Sequence, residues 1–120
     1  MEPEIMEPEN NENELVFEMI TFSKKNHKCL PANLCISTSE FGFDDPKIKI
    51  QQDTDEEIHM EHAFFMTVPE KEIIGDPGTL DNEMLDYFRT FIDNNEEALI
   101  KFWYEGKNLD TMDVIDSLIF

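Results

Sequence analysis

Lys47-Ile48-Lys49-Ile50-Gln51 alternates polar and apolar side chains without a break. With a side-chain period of two, Ile48 and Ile50 share one face and Lys47, Lys49 and Gln51 the other. That is the pattern of an antiparallel strand with one side on a core and one side wet. Working outward from it, Leu15 to Phe22 is apolar and rich in aromatic and β-branched residues, which suits another strand. The polar turn Ser23-Lys24-Lys25-Asn26-His27-Lys28 follows and holds three of the nine cations. Asn33 to Thr38, entered through Pro31, predicts a short strand, and Phe41 to Pro46 a loop.

On the other side of Lys47–Gln51, residues 52–57 form an acidic turn. Ile58 to Val68, closed by Pro69, predicts the longest strand, with Ile58, Met60, Phe64 and Met66 on one face. Ile73-Ile74 adds a short extended piece. Gly75-Asp76-Pro77-Gly78 then ends the strand region with a dense turn signal. Beyond it the period changes. Met84, Leu85, Phe88, Phe91 and Ile92 lie on one helical stripe, with Thr79 or Asp81 as the N-cap. Asn94-Asn95 ends or bends this helix. Leu99, Phe102 and Trp103 continue the apolar face to Gly106, a suitable C-cap. Asp110 caps a last short helix carrying Met112, Ile115, Leu118 and Ile119, and the apolar terminus packs on the domain. Strands followed by helices predict an α+β fold: a small antiparallel sheet from the N-terminal half packed by two or three C-terminal helices.

The chain has 120 residues, enough for one domain. Residues 1–13, with Met1-Glu2-Pro3-Glu4-Ile5 nearly repeated as Met6-Glu7-Pro8-Glu9-Asn10, lack the apolar content to offset ordering entropy and predict a flexible acidic tail. Residues 14–120 form the single α+β domain. Ten Phe, one Trp and seven Met supply large core pieces. The formal net charge of -19, from 28 Asp and Glu against 9 Lys and Arg, opposes compaction. It also disfavours direct binding to nucleic acid or an anionic membrane, which requires cations. A basic protein partner is the electrostatic complement. No stretch approaches the ~20 apolar residues of a membrane helix. The acidic N-terminus is unlike a secretory signal, so the expected location is the cytoplasm. Cys29 and Cys35 make no disulfide framework and read as free thiols.

Candidate chemistry is sparse. His59 and His62, beside Glu57 and Glu61, are the weak metal candidates. On a strand they would point to opposite faces, so a solvated polar surface is the plainer reading. Asp53-Thr54-Asp55-Glu56-Glu57 and Asp44-Asp45 lack the order of a calcium loop. Neither cysteine has a Gly-rich turn or a following helix start that would activate it as a nucleophile. There is no phosphate loop, and no cofactor is expected. Phe41, Phe43, Phe64 and Phe65 read as core, with an exposed binding patch as the sharper alternative.

The series Pro46 to Gln51, Phe65-Met66-Thr67-Val68-Pro69, Ile73-Ile74-Gly75-Asp76, Gly78, Phe91-Ile92, Asn95 and Phe102-Trp103 resembles small uncharacterised proteins of Bacteroidetes and their mobile elements. In outline it resembles small bacterial domains found near toxin–antitoxin genes. The likeness covers about half the chain and implies a bacterial or phage setting, with no activity or catalytic residue to carry over.

The leading expectation is therefore a non-enzymatic, acidic protein-binding module. Its binding surface would be Asp44, Asp45, Asp53, Asp55, Glu56, Glu57, Glu61, Glu70 and Glu72. In its sharpest form the surface mimics nucleic-acid phosphates and occupies a basic groove. The alternatives are an assembly subunit docking through its apolar C-terminal helix, and a metal-dependent enzyme built on His59 and His62.

Overall fold

The computed structural model describes residues 19–39 and 45–120. Five strands, β1 (Met19–Phe22), β2 (Leu34–Ser37), β3 (Lys47–Gln51), β4 (Ala63–Thr67) and β5 (Ile73–Ile74), form one antiparallel sheet in chain order. Helix α1 (Asn82–Glu105), a 3-10 turn (Gly106–Asn108) and helix α2 (Thr111–Ser117) follow. The fold is α+β, with the N-terminal sheet packed by two C-terminal helices. The predicted tail, and with it Leu15 to Glu18, lies outside the described residues, as do Phe41, Phe43 and Asp44.

Alternation builds the core as the sequence implies. Leu34, Ile36, Ile48, Ile50, Phe64 and Met66 are buried on the sheet's inner face. They meet Leu85, Phe88, Phe91, Ile92, Leu99 and Phe102 of α1. Fully burying one such side chain contributes about 1.5–3 kcal/mol. Lys47 and Lys49 stay half-exposed on the outer face. The ammonium of Lys47 lies 4.9 Å from the Trp103 ring centre and 5.6 Å from that of Phe65.

Asp81, not Thr79, caps α1: its carboxylate accepts from the Met84 N–H at 2.9 Å. Asn95 bends α1, with φ -127° and ψ 17° inside the helix. Its buried amide also acts as a latch. Nδ2 donates to the Phe91 and Ile119 carbonyls at 2.9 and 2.6 Å, and Oδ1 accepts from the Ile119 N–H at 2.7 Å. The latch seats the C-terminal residues on the domain, where the Phe120 ring packs against Phe22, His27 and Phe91. On α2 the inward residue is Val114, with Leu118 just beyond, while Met112 and Ile119 are exposed.

Two expectations need correction. Gly106 follows α1 with φ -58°, not in the left-handed conformation of a glycine cap. Its lack of a side chain serves packing, since a Cβ there would lie 2.5 Å from Thr38 and 2.6 Å from Phe102. The strand expected from Ile58 begins only at Ala63. Residues 58–62 instead complete an ordered loop, and Ile58 is exposed.

Candidate functional site: a preorganised acidic loop

The loop joining β3 to β4 carries Asp53, Asp55, Glu56, Glu57 and Glu61, and two buried side-chain amides organise it. Asn33 and Gln51 are each fully buried. Asn33 Nδ2 donates to Gln51 Oε1 at 3.1 Å and to the Glu57 carbonyl at 3.0 Å, while Oδ1 accepts from the Lys24 N–H at 2.8 Å. Gln51 Nε2 donates to Asp53 Oδ1 at 2.8 Å and to the Glu57 carbonyl at 3.0 Å. Gln51 Oε1 also accepts from the His59 N–H at 2.6 Å. All four amide N–H bonds and both oxygens thus have partners, which is the condition for burying such groups without a large penalty.

Local turns complete the loop. Asp53 accepts from the Asp55 N–H and Asp55 from the Glu57 N–H, each at 3.1 Å, the two-residue reach typical of aspartate in turns. Lys24 Nζ donates to the Thr54 carbonyl at 2.6 Å. The turn at 75–78 buttresses the loop from the side. Gln52 Nε2 donates to the Asp76 carbonyl, and Thr79 donates to that of Gln52. Gly78, at φ +64°, passes so close that a Cβ would sit 2.4 Å from the Gln52 oxygen, so glycine is required there. Backbone and buried amides therefore absorb the loop's internal bonding, and Glu56, Glu57 and Glu61 are left exposed.

The eight described residues of the predicted acidic surface fall into two groups. Asp53 to Glu61 lie beyond the C-terminal end of β3, whereas Asp45, Glu70 and Glu72 lie at the opposite end of the β3–β4 pair. A five-residue strand separates the ends by about 16 Å. At that far end Lys71, in the left-handed conformation with φ 65°, pairs with Asp93 at 2.5 Å. Asp44 is not among the described residues.

His59 and His62 lie on the loop, not on opposite faces of a strand, and the His62 N–H donates to the His59 carbonyl. The ring of His59 contacts Asp55 Oδ2 at 3.1 Å. That hydrogen bond raises the His59 pKa, helped by the charges of Asp55, Asp53 and Glu61. Asp55 is held below the usual carboxylate range, first by the Glu57 N–H and then by His59. The raised His59 contributes stability fully below its unfolded pKa of about 6.5, and this is lost as pH rises through the folded value. The depressed Asp55 contributes above about 3.9, lost as pH falls through its folded value. The pair therefore ties the loop most strongly between about pH 4 and 6.5. By proton NMR the His59 ring should titrate above the ordinary histidine range, and Asp55→Asn should return it downward. An unchanged midpoint in that variant would rule out the pairing.

Among the described residues no three His, Cys, Asp or Glu side chains converge as a metal would require. Cys29 is exposed, with the Tyr87 hydroxyl 3.4 Å from its sulfur. Burial pushes the Cys35 thiol up from its ordinary pKa. No family model, curated protein or solved structure matches the chain. Among the described residues, no helix is long and apolar enough to cross a membrane.

Sequence reasoning found the acidic run but missed its organisers. Asn33 was visible only as a polar residue after Pro31, and Gln51 as the last polar position of an alternating strand.

Proposed function

We propose that this chain is a protein-binding module that engages a basic protein partner through the acidic loop at residues 52–62. One observation carries the reading: two fully buried amides hold the loop's backbone while the carboxylates of Glu56, Glu57 and Glu61 face solvent. A charged surface held rigid in advance avoids the ordering cost of binding, and its field speeds encounter with an opposite charge. The sharpest form of the proposal is nucleic-acid mimicry in a bacterial or phage setting, with loop carboxylates occupying a partner's phosphate-binding cations.

The test is affinity capture under increasing salt, with the native chain compared with Glu56→Gln/Glu57→Gln/Glu61→Gln. These side chains are exposed, so the variant should keep its fold. A basic partner captured by the native chain, released by salt and bound about tenfold or more weakly by the variant, is the expected result. Duplex DNA should displace that partner if the loop acts as a mimic. A partner bound equally well by both chains would contradict the proposal.

A further inference from the structure

The antiparallel course of α2 back along α1 leaves a shallow groove on the helical side of the molecule. Its volume is about 910 Å³ over α1 from Asp93 to Glu105, continuing into about 270 Å³ between the helices. Half-buried Ala98, Ile100 and Leu109 give it an apolar floor. Glu96, Glu97 and Glu105 rim the larger part and Asp110 and Asp113 the smaller, and these five carboxylates outnumber Lys101, the cation that lines both parts.

The helix ends add an independent observation. A helix C-terminus carries partial negative charge and favours a cation in its last turn. Neither α1 nor α2 has a basic residue there. Glu105 and Asp116 occupy those turns instead, against the field of their own helices. Both ends border the groove, through Glu105 of α1 and Ser117 of α2. Local conflicts of this kind concentrate at functional or strained sites.

We infer that the α1–α2 groove docks a basic amphipathic helix, with its apolar stripe on Ala98, Ile100 and Leu109 and its cations against the rim carboxylates and the two helix C-termini. Asp93 to Glu105 spans about 18 Å at 1.5 Å per residue, room for roughly three turns of a partner helix. Helix-in-groove recognition of this kind draws affinity from the apolar anchors and orientation from the charges. The inference rests on the protein-binding reading and supplies that reading with a second contact and a partner class.

The probe is a synthetic helical peptide of roughly 14 residues, Leu at helical spacing and Lys on both flanks, titrated into the full chain. Two variants carry the same formal charge: Glu97→Lys/Glu105→Lys/Asp113→Lys in the groove and Glu56→Lys/Glu57→Lys/Glu61→Lys in the loop. All six side chains are exposed. The groove variant should weaken binding by about tenfold or more while the loop variant changes it by less than about threefold. In the native chain the amide signals of Ala98, Ile100 and Leu109 should shift on peptide addition, a readout that needs no variant. Equal weakening by both variants, or shifts confined to residues 52–62, would overturn the groove and leave the loop proposal standing. Absence of peptide binding at low salt would overturn it as well. The loop proposal is judged on its own captured partner, so each can fail without the other.

Discussion

Asn33→Ala is expected to destabilise the domain by roughly 3–5 kcal/mol and to release residues 53–59. The effect is large because Asn33 is fully buried and its amide is completely used. Its removal strands the Lys24 N–H and takes one of two donors from each of Gln51 Oε1 and the Glu57 carbonyl, which keep the His59 N–H and Gln51 Nε2. The stranded N–H costs about 1–3 kcal/mol, each of the two other lost hydrogen bonds about 0.5–1.5 kcal/mol, and the lost volume adds to that. Urea unfolding gives the size of the effect, and hydrogen exchange gives its location. Loss of protection should centre on residues 53–59 and on Lys24, whose N–H the amide accepts. A cost below about 1 kcal/mol would mean that water replaces the amide and that the loop does not depend on it.

Phe88→Ala should cost about 3–5 kcal/mol, for a different reason. Phe88 is fully buried in the middle of the α1 stripe, packed with the sheet's inner residues and edge-on to Tyr87. Truncation leaves a cavity that fixed neighbours on both layers cannot fill. The lower thermal midpoint should come without loss of the acidic loop's order relative to the rest of the fold. A cost under about 1.5 kcal/mol would show that α1 does not close the core as described. The two variants thus separate the general stability of the domain from the special support of one loop.

Much of the fold was legible because it follows from periodicity. Ile48 and Ile50 alternate with lysines, so their face was readable. Phe88, Phe91, Ile92 and Phe102 recur at helical spacing, so α1 was readable too. Local spacing failed where distant residues decide. Residues 58–62 have the composition of a strand, yet Gln51 takes the His59 N–H and turns that segment into loop. Asn95 announced a bend, but its latch on Ile119, 24 residues later, has no local signature. The acidic residues were legible as charge and not as geometry. Pairing of β3 with β4 places Asp53 to Glu61 and Glu70 with Glu72 at opposite ends, a separation that appears only once register is known.

The most direct test of the central claim is the backbone order of residues 53–61 in the free chain, measured by ¹⁵N NMR relaxation. A loop held by Asn33 and Gln51 should show order parameters near 0.85, like the neighbouring strands β3 and β4. Values below about 0.6 would contradict the account, because the carboxylates would then sit on a mobile segment rather than a surface built in advance.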